Sequence, residues 1–158
     1  MKAYKIEAVL HIHEMADLSE DDRELVEAAK RATNNSYAPY SKFRVGAAAR
    51  LANGAIVIGA NQENAAFPSG LCAERTALFA ASAQHPDQPV VALAIAARKG
   101  TRFLEKPITP CGGCRQVISG VEDRHGVPVR IMLYGTEGIY VSEGISPLLP
   151  LRFVGEDM

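Results

Sequence analysis

The chain has 158 residues, 47% of them hydrophobic, and a formal net charge of −1. This length suits one domain with an ordinary core. The mixed charges exclude the basic stripe that a nucleic-acid backbone requires, and no apolar run is long enough to cross a bilayer. The charged N-terminal stretch does not resemble a signal peptide. We therefore expect one cytoplasmic domain over residues 1–158 that binds a small ligand and neither nucleic acid nor membrane.

The N-terminal third contains an arm, a helix and a hairpin. Apolar residues alternate loosely before residue 13, which predicts an arm or edge strand within residues 1–18. Ser19 is a helix N-cap, and helical spacing continues to about Asn35. Two apolar runs, 43–51 and 55–60, are joined by Asn53-Gly54, a pair that supplies the positive φ angles of a tight turn. These residues therefore predict a β-hairpin.

The remaining chain alternates between helices and strands. The predicted elements are a helix from Cys72 to about Ala83, a buried strand over 90–97, a helix from Cys111 to Val121, a strand over 129–134 and a short strand over 139–141. Residues 146–158 are interrupted by proline and are expected to wrap the surface. This alternation indicates a layered α/β sheet.

The three cysteines are too few and odd in number for a disulfide framework, so a metal site is favoured. Cys111 and Cys114 are two residues apart, a gap that lets both sulfurs reach one tetrahedral ion, and Cys72 supplies a third sulfur. Three protein ligands leave one zinc position open, as in catalytic sites. The sequence therefore predicts one catalytic Zn²⁺ per chain.

Glu74 lies two positions after Cys72. A glutamate in a first helical turn is common because it complements the helix dipole. Its place beside a metal ligand favours a different role, general acid and base catalysis by proton transfer from water to a ring nitrogen and a departing amine. Arg75 and Arg115 also follow ligands, and three thiolates need positive compensation. We expect Arg75 to contact the sulfurs. For Arg115, such a contact and a position on the solvated surface of its helix are equally expected.

Four segments resemble the cytidine deaminase family: residues 39–48, 61–70, 72–77 and 110–116. The His/Cys-x-Glu and Pro-Cys-x-x-Cys patterns are known signatures of zinc deaminases. The resemblance implies a three-layer α/β/α sandwich around a mixed sheet and the hydrolytic deamination of cytidine and deoxycytidine in pyrimidine salvage. The three-cysteine form at this length is similar to the homotetrameric members.

The resemblance also implies substrate contacts. Asn61 and Glu63 bind the ribose, Phe43 packs on the pyrimidine, the backbone N–H of Ala73 holds the base, and Glu74 binds N3 and moves protons. Phe153, in the C-terminal segment near the active site, reaches the substrate of a neighbouring subunit. Asn61 and Glu63 are two apart after a strand and should face one side, although a polar turn would give the same pattern.

Several positions depart from the family pattern. Arg44 replaces a common proline, Phe67 replaces a tyrosine and thereby removes a hydroxyl, Gly113 replaces an alanine, and both flanks of Phe153 are changed. The zinc-site motif is unaffected by these changes.

Three other readings remain. A structural zinc protein would need a fourth ligand, and His85 is the best candidate, but it lies about 20 Å from Cys72 along the predicted helix. A thiol redox protein could use Cys111 and Cys114 alone. A related deaminase could act on another cytosine-containing compound, such as a nucleoside antibiotic.

Overall fold

The computed structural model describes residues 1–158, and a single mixed sheet organises them. Seven strands form the sheet in the order β1-β7-β6-β4-β2-β3, with β5 paired to β4. Only the β4–β6 pair is parallel. The strands are β1 His11–His13, β2 Phe43–Leu51, β3 Ile56–Ala60, β4 Val90–Lys99, β5 Arg102–Phe103, β6 Arg130–Gly135 and β7 Gly138–Glu143.

Helices cover both faces of the sheet. Helix α1 (Glu20–Ala32) packs on β2 and β4 on one face, while α2 (Ala73–Gln84) and α3 (Gly112–His125) lie on the other. The three-layer α/β/α sandwich around a mixed sheet is therefore confirmed. No helix is long and apolar enough to span a bilayer.

Small residues bring the helices close to the sheet. The face of the sheet beneath α1 includes three alanines of β4, and a Cβ on Gly46 would lie 2.2 Å from the Ala29 carbonyl oxygen. On the opposite face, a Cβ on Gly59 would lie 2.3 Å from the Ala77 backbone nitrogen. Because atoms cannot approach so closely, a side chain at either glycine would displace its helix. Gly59 thus fixes α2, and with it the residues at the start of that helix.

The predicted boundaries of several elements need correction. Only His11–His13 of the N-terminal arm forms a strand, because only these three residues pair with β7. Helix α3 extends beyond Val121 to His125, where Gly126 adopts the left-handed conformation that ends helices. The short strand β5 was not predicted.

The hairpin turn also differs from the prediction. Only Gly54 has a positive φ, at 87°, and Asn53 does not. The backbone N–H of Gly54 donates to the Leu51 carbonyl, and Asn53 accepts the N–H of Ala55 through its side chain. The loop is therefore a three-residue connection with a left-handed glycine rather than a two-residue turn.

Candidate metal and nucleoside site

The N-termini of α2 and α3 bring the three cysteines together. Cys72 is the N-cap residue of α2, Cys111 is the N-cap of α3, and Cys114 is the third residue of α3. The Sγ–Sγ distances are 4.0 Å between Cys72 and Cys111 and 3.6 Å between Cys111 and Cys114. All three sulfurs lie within 4.8 Å of one another.

These distances fit a tetrahedral zinc ion. Zn–S bonds of about 2.3 Å at tetrahedral angles separate two sulfurs by about 3.8 Å. Cys114 is buried, whereas Cys72 and Cys111 line a cavity of about 770 Å³. His85 caps the opposite end of α2 and is not part of the group. The set of three sulfurs therefore suits Zn²⁺ with a coordination position facing the cavity.

The cysteines differ in how easily they ionise. The Cys114 backbone N–H donates to the Cys111 sulfur and lowers the pKa of that thiol. Burial raises the pKa of Cys114, and the nearby charges of Glu74 and Cys72 raise it further. A divalent cation between the sulfurs favours all three thiolates because it offsets their mutual repulsion.

Glu74 is the second residue of α2 and lies beside this cluster. Its side chain is buried yet lines the cavity. Burial raises the pKa of its carboxyl, and smaller effects from its own backbone N–H, Cys114 and Arg75 act in the opposite direction. Because its proton affinity is increased, this carboxyl is suited to accept and return a proton.

The two arginines have different environments. Arg75 donates to the Cys72 sulfur at 3.7 Å, and this sulfur raises the pKa of Arg75. Arg115 donates to the backbone carbonyls of Pro110 and Leu148 at 2.8 and 2.7 Å. Arg115 is thus neither a free surface residue nor a partner of the sulfurs. It fixes the backbone just before Cys111.

Asn61 and Glu63 also line the cavity. They follow β3 in extended backbone, because Gln62 between them forms bridges to Tyr37 and Leu71. The segment is therefore not the polar turn that was the alternative.

The two side chains are held firmly. Asn61 Oδ1 accepts the Val45 N–H at 2.8 Å and the Ser36 hydroxyl, while Nδ2 donates to the Phe43 carbonyl at 2.9 Å. One hydrogen on Nδ2 remains available for a ligand. Glu63 Oε2 accepts the Tyr40 N–H at 2.9 Å.

The surroundings of Glu63 favour its carboxylate form. The Ser41 side chain lowers the pKa of this carboxyl most, desolvation opposes that effect, and the backbone N–H groups of Tyr40 and Ser41 lower the pKa further. A carboxylate and an amide N–H thus face the same cavity, a pairing that can bind two neighbouring hydroxyl groups.

The cavity wall is mainly apolar. Phe43 and Ala73, to which the resemblance assigns contacts with the base, both line it. Ala73 is the first residue of α2, where a backbone N–H has no partner within the helix. Tyr40 and Phe67 meet edge to face at 5.9 Å and also line the cavity. No role was predicted for Tyr40, Ser41, Ile108 or Thr109, which also line the cavity, although each lies within three residues of Phe43 or Cys111.

Phe153 lies elsewhere. No residue of 146–158 lines the cavity, and the Phe153 side chain is exposed. Its backbone carbonyl accepts a hydrogen bond from Gln116 at 2.9 Å. Within one chain, Phe153 therefore does not reach the site.

Comparisons with known proteins agree with this geometry. The cytidine and deoxycytidylate deaminase zinc-binding region matches residues 19–127. Cytidine deaminases of Halalkalibacterium halodurans and Sporosarcina psychrophila are each 38% identical over 138 residues, or 87% of this chain, and 98% and 95% of their own lengths.

Solved structures give the same result. The cytidine deaminase of Burkholderia pseudomallei superposes with a TM-score of 0.71 and 38% identity, covering 86% of this chain and all of that one. The Mycobacterium tuberculosis enzyme has a TM-score of 0.67 and 30% identity, covering 86% of this chain and 99% of its own. The chain belongs to the zinc-dependent cytidine deaminase family.

Proposed function

We propose that this protein hydrolytically deaminates free cytidine and deoxycytidine to uridine and deoxyuridine. The observation that carries the proposal is the buried Glu74 carboxyl beside three convergent sulfurs, in the same cavity as Glu63 and Asn61. One cavity thus offers both proton transfer and hydroxyl recognition, as a nucleoside requires.

The proposed reaction replaces the C4 amino group of the base with oxygen from water. Cys72, Cys111 and Cys114 would hold zinc, which would supply Lewis acidity and a water of lowered pKa. Glu74 accepts a proton from this water and transfers it to N3 of the base. It then moves the second proton of the same water, now on the C4 hydroxyl, to the amine. The C4–N bond breaks, the C4 carbonyl forms and ammonia leaves.

The other residues position the substrate. The free N–H of Asn61 and the Glu63 carboxylate bind the sugar hydroxyls, and Phe43 packs on the pyrimidine. The unpartnered N–H of Ala73 holds the base beside Glu74. Each of these groups already lines the cavity, so the substrate can contact them without a large rearrangement.

A free nucleoside is favoured over a base in a polynucleotide. The formal net charge is −1, and Glu63, a proposed sugar contact, lines the cavity. A phosphate next to a carboxylate is disfavoured by like-charge repulsion. We therefore expect cytidine and deoxycytidine to be better substrates than their phosphorylated forms.

The proposal extends to a homotetramer. The outward face of α2 carries Phe79, Ala80 and Ala83, and Phe79 is 48% exposed. The one charged residue near this face, Arg75, donates to the Cys72 sulfur. A mainly apolar helix face of this kind is more typical of an interface than of free surface. With the resemblance to the homotetrameric members, this supports four copies. Light scattering coupled to size-exclusion chromatography measures the number directly.

A cytoplasmic location and a role in pyrimidine salvage complete the proposal. All three cysteines are free thiols, and three adjacent thiols persist best in a reducing compartment. Fractionation of the native host, followed by detection of the protein, tests the location.

The test of function is the loss of ultraviolet absorbance of cytidine and deoxycytidine with purified protein, with ammonia measured in parallel. Cytidine monophosphate, a cytosine-containing oligonucleotide and cytosine nucleoside antibiotics form the comparison set. Turnover of the two nucleosides, abolished by a zinc chelator and restored by zinc, supports the proposal. Turnover of only an antibiotic or an oligonucleotide would assign a different substrate.

A further inference from the structure

The last residues of the chain are attached to α3, the helix that begins at a metal ligand. Arg152 donates to Glu122 Oε2 at 2.8 Å and lies 3.7 Å from Asp123 Oδ1, and Gln116 donates to the Phe153 carbonyl. We call Gln116, Glu122, Asp123 and Arg152 the C-terminal latch.

Glu122 gives the latch a rigid base. It is buried, and its Oε1 accepts the backbone N–H groups of Val129 and Ile145, each at 2.9 Å. One carboxylate thus joins the end of α3 to the start of β6, to the loop after β7 and to Arg152. The tail is fixed to the core rather than to another surface loop.

The latch determines the direction of the Phe153 side chain. Residues 152–154 are not part of a helix, and their burial alternates: Arg152 and Val154 are half-buried, while Phe153 is 57% exposed. In extended backbone, neighbouring side chains point to opposite sides. Since Arg152 is held inward against Glu122, Phe153 projects outward, beyond the reach of its own cavity.

The backbone just before the latch indicates that the tail is held there. Leu151 has a φ of 55°, in the left-handed region that a leucine rarely occupies, and its side chain is 80% exposed. Its own side-chain contacts cannot account for this conformation, so neighbouring contacts must hold it. The next residue, Arg152, provides such a contact through its ion pair with Glu122.

We propose that Arg152 is a positioning residue for deamination. Through its ion pair with Glu122 it holds the tail so that Phe153 extends toward the substrate in a second copy of the chain. This inference rests on the proposed function and on the contact between subunits that the family resemblance implies for Phe153. It adds the element that sets the position of that ring, in a segment where both flanks of Phe153 depart from the family pattern.

The experiment compares Arg152→Ala with Arg152→Lys, Phe153→Ala and the double variant. Arg124→Ala is the matched control, because Arg124 is exposed in the last turn of α3, one residue beyond Asp123. Glu122 is left intact because it also bonds two backbone N–H groups of the core. KM and kcat for cytidine are measured for each variant, with hydrogen exchange of residues 149–158 followed by mass spectrometry.

We expect Arg152→Ala to raise KM by about two- to tenfold, the range for one lost aromatic contact, with a smaller change in kcat. Phe153→Ala should raise KM similarly, the double variant should add nothing, and Arg152→Lys should recover part of the loss. Exchange in residues 149–158 should increase, while the Val129 and Ile145 amides stay protected.

Two results would overturn the inference: a KM for Arg152→Ala equal to that of Arg124→Ala, or effects of Arg152→Ala and Phe153→Ala that multiply in the double variant. Wild-type protein that leaves cytidine intact refutes the proposed function instead. In that case the hydrogen exchange of residues 149–158 still tests the latch. Unchanged exchange in Arg152→Ala refutes it, whereas increased exchange shows that Arg152 holds the C-terminal segment in place.

Discussion

Two groups of cavity residues differ in how many hydrogen bonds their side chains form with the rest of the protein. We call them the metal end (the three cysteines and Glu74) and the sugar end (Asn61 and Glu63). At the metal end, the sulfurs contact one another and Arg75. At the sugar end, Asn61 forms three hydrogen bonds to distant segments, and Glu63 accepts two backbone N–H groups. A substitution at the metal end should therefore remove chemistry and preserve the fold, whereas one at the sugar end should affect both.

The largest effect is expected for Cys111→Ser. Serine removes one of three sulfurs, and because Cys111 is exposed, the metal-free fold should not change. Zinc content should fall. Activity should decrease by more than it does when a residue that hydrogen-bonds a metal ligand is lost, which costs about 10- to 100-fold.

Zinc per chain and cytidine turnover measure this result, and urea unfolding in chelator is the control. In chelator, the variant and the wild type should unfold within about 0.5 kcal/mol of each other. A large loss of metal-free stability would contradict the difference between the two ends.

Asn61→Ala should affect both stability and binding. Its three hydrogen bonds join the end of β3 to Ser36 and to the start of β2, so we expect a loss of about 2–4 kcal/mol in the free energy of unfolding, together with a higher KM. Asn53→Ala is the control, since Asn53 forms one side-chain hydrogen bond in an exposed loop and should lose about 1 kcal/mol or less. Equal stability losses in the two variants would show that Asn61 acts on substrate alone.

Glu63→Gln should act mainly through charge. The amide oxygen can still accept backbone N–H groups, but hydrogen bonds to the sugar become weaker, so KM should rise by about tenfold. Because hydrogen bonding lowers the pKa of Glu63 below 4.5, the carboxylate is lost only as pH falls through that lowered value. The ratio of the KM of Glu63→Gln to that of the wild type should therefore stay nearly constant from about pH 8 to 5.5. A ratio that falls toward one over that range would contradict the assignment, whereas a change common to both proteins comes from another group such as Glu74.

The smallest effect is expected for Gly113→Ala. Nothing lies within 4 Å of a Cβ at this position, and its φ is not positive. Alanine restricts the unfolded chain and favours a helix, so stability should rise by about 0.5 kcal/mol with turnover unchanged. Lower stability or lower activity would show that the start of α3 needs the glycine, and thermal unfolding with a cytidine assay distinguishes these outcomes.

The difference between local and long-range contacts also explains which parts of the site the sequence could predict. Cys72, Cys111 and Cys114 lie at helix starts, and both the spacing of two and the helix signals are local, so the metal end could be inferred from short segments. The contacts of Asn61 lie 16–25 residues away, and no local pattern indicates them. Arg115 is similar, because its second carbonyl partner, Leu148, is 33 residues distant.

Element boundaries show the same limit. The end of α3 had a local signal, since the basic last turn at Arg124 and His125 precedes the left-handed Gly126, but the apolar spacing alone placed it at Val121. The N-terminal arm had no such signal. Its alternation continues before His11, yet strand formation requires a partner, and the register with β7 provides one for three residues only.

The most direct test of the account is to compare the wild type with Glu74→Gln for cytidine and deoxycytidine turnover, with zinc measured per chain in both. Glu137→Gln, an exposed glutamate between β6 and β7, is the control. The account predicts one zinc in each protein, turnover by the wild type and the control, and a decrease of about 10²–10⁴-fold or more in Glu74→Gln. Undiminished turnover by Glu74→Gln at full zinc occupancy would contradict proton transfer by Glu74, and absence of zinc from active wild-type protein would contradict the metal site.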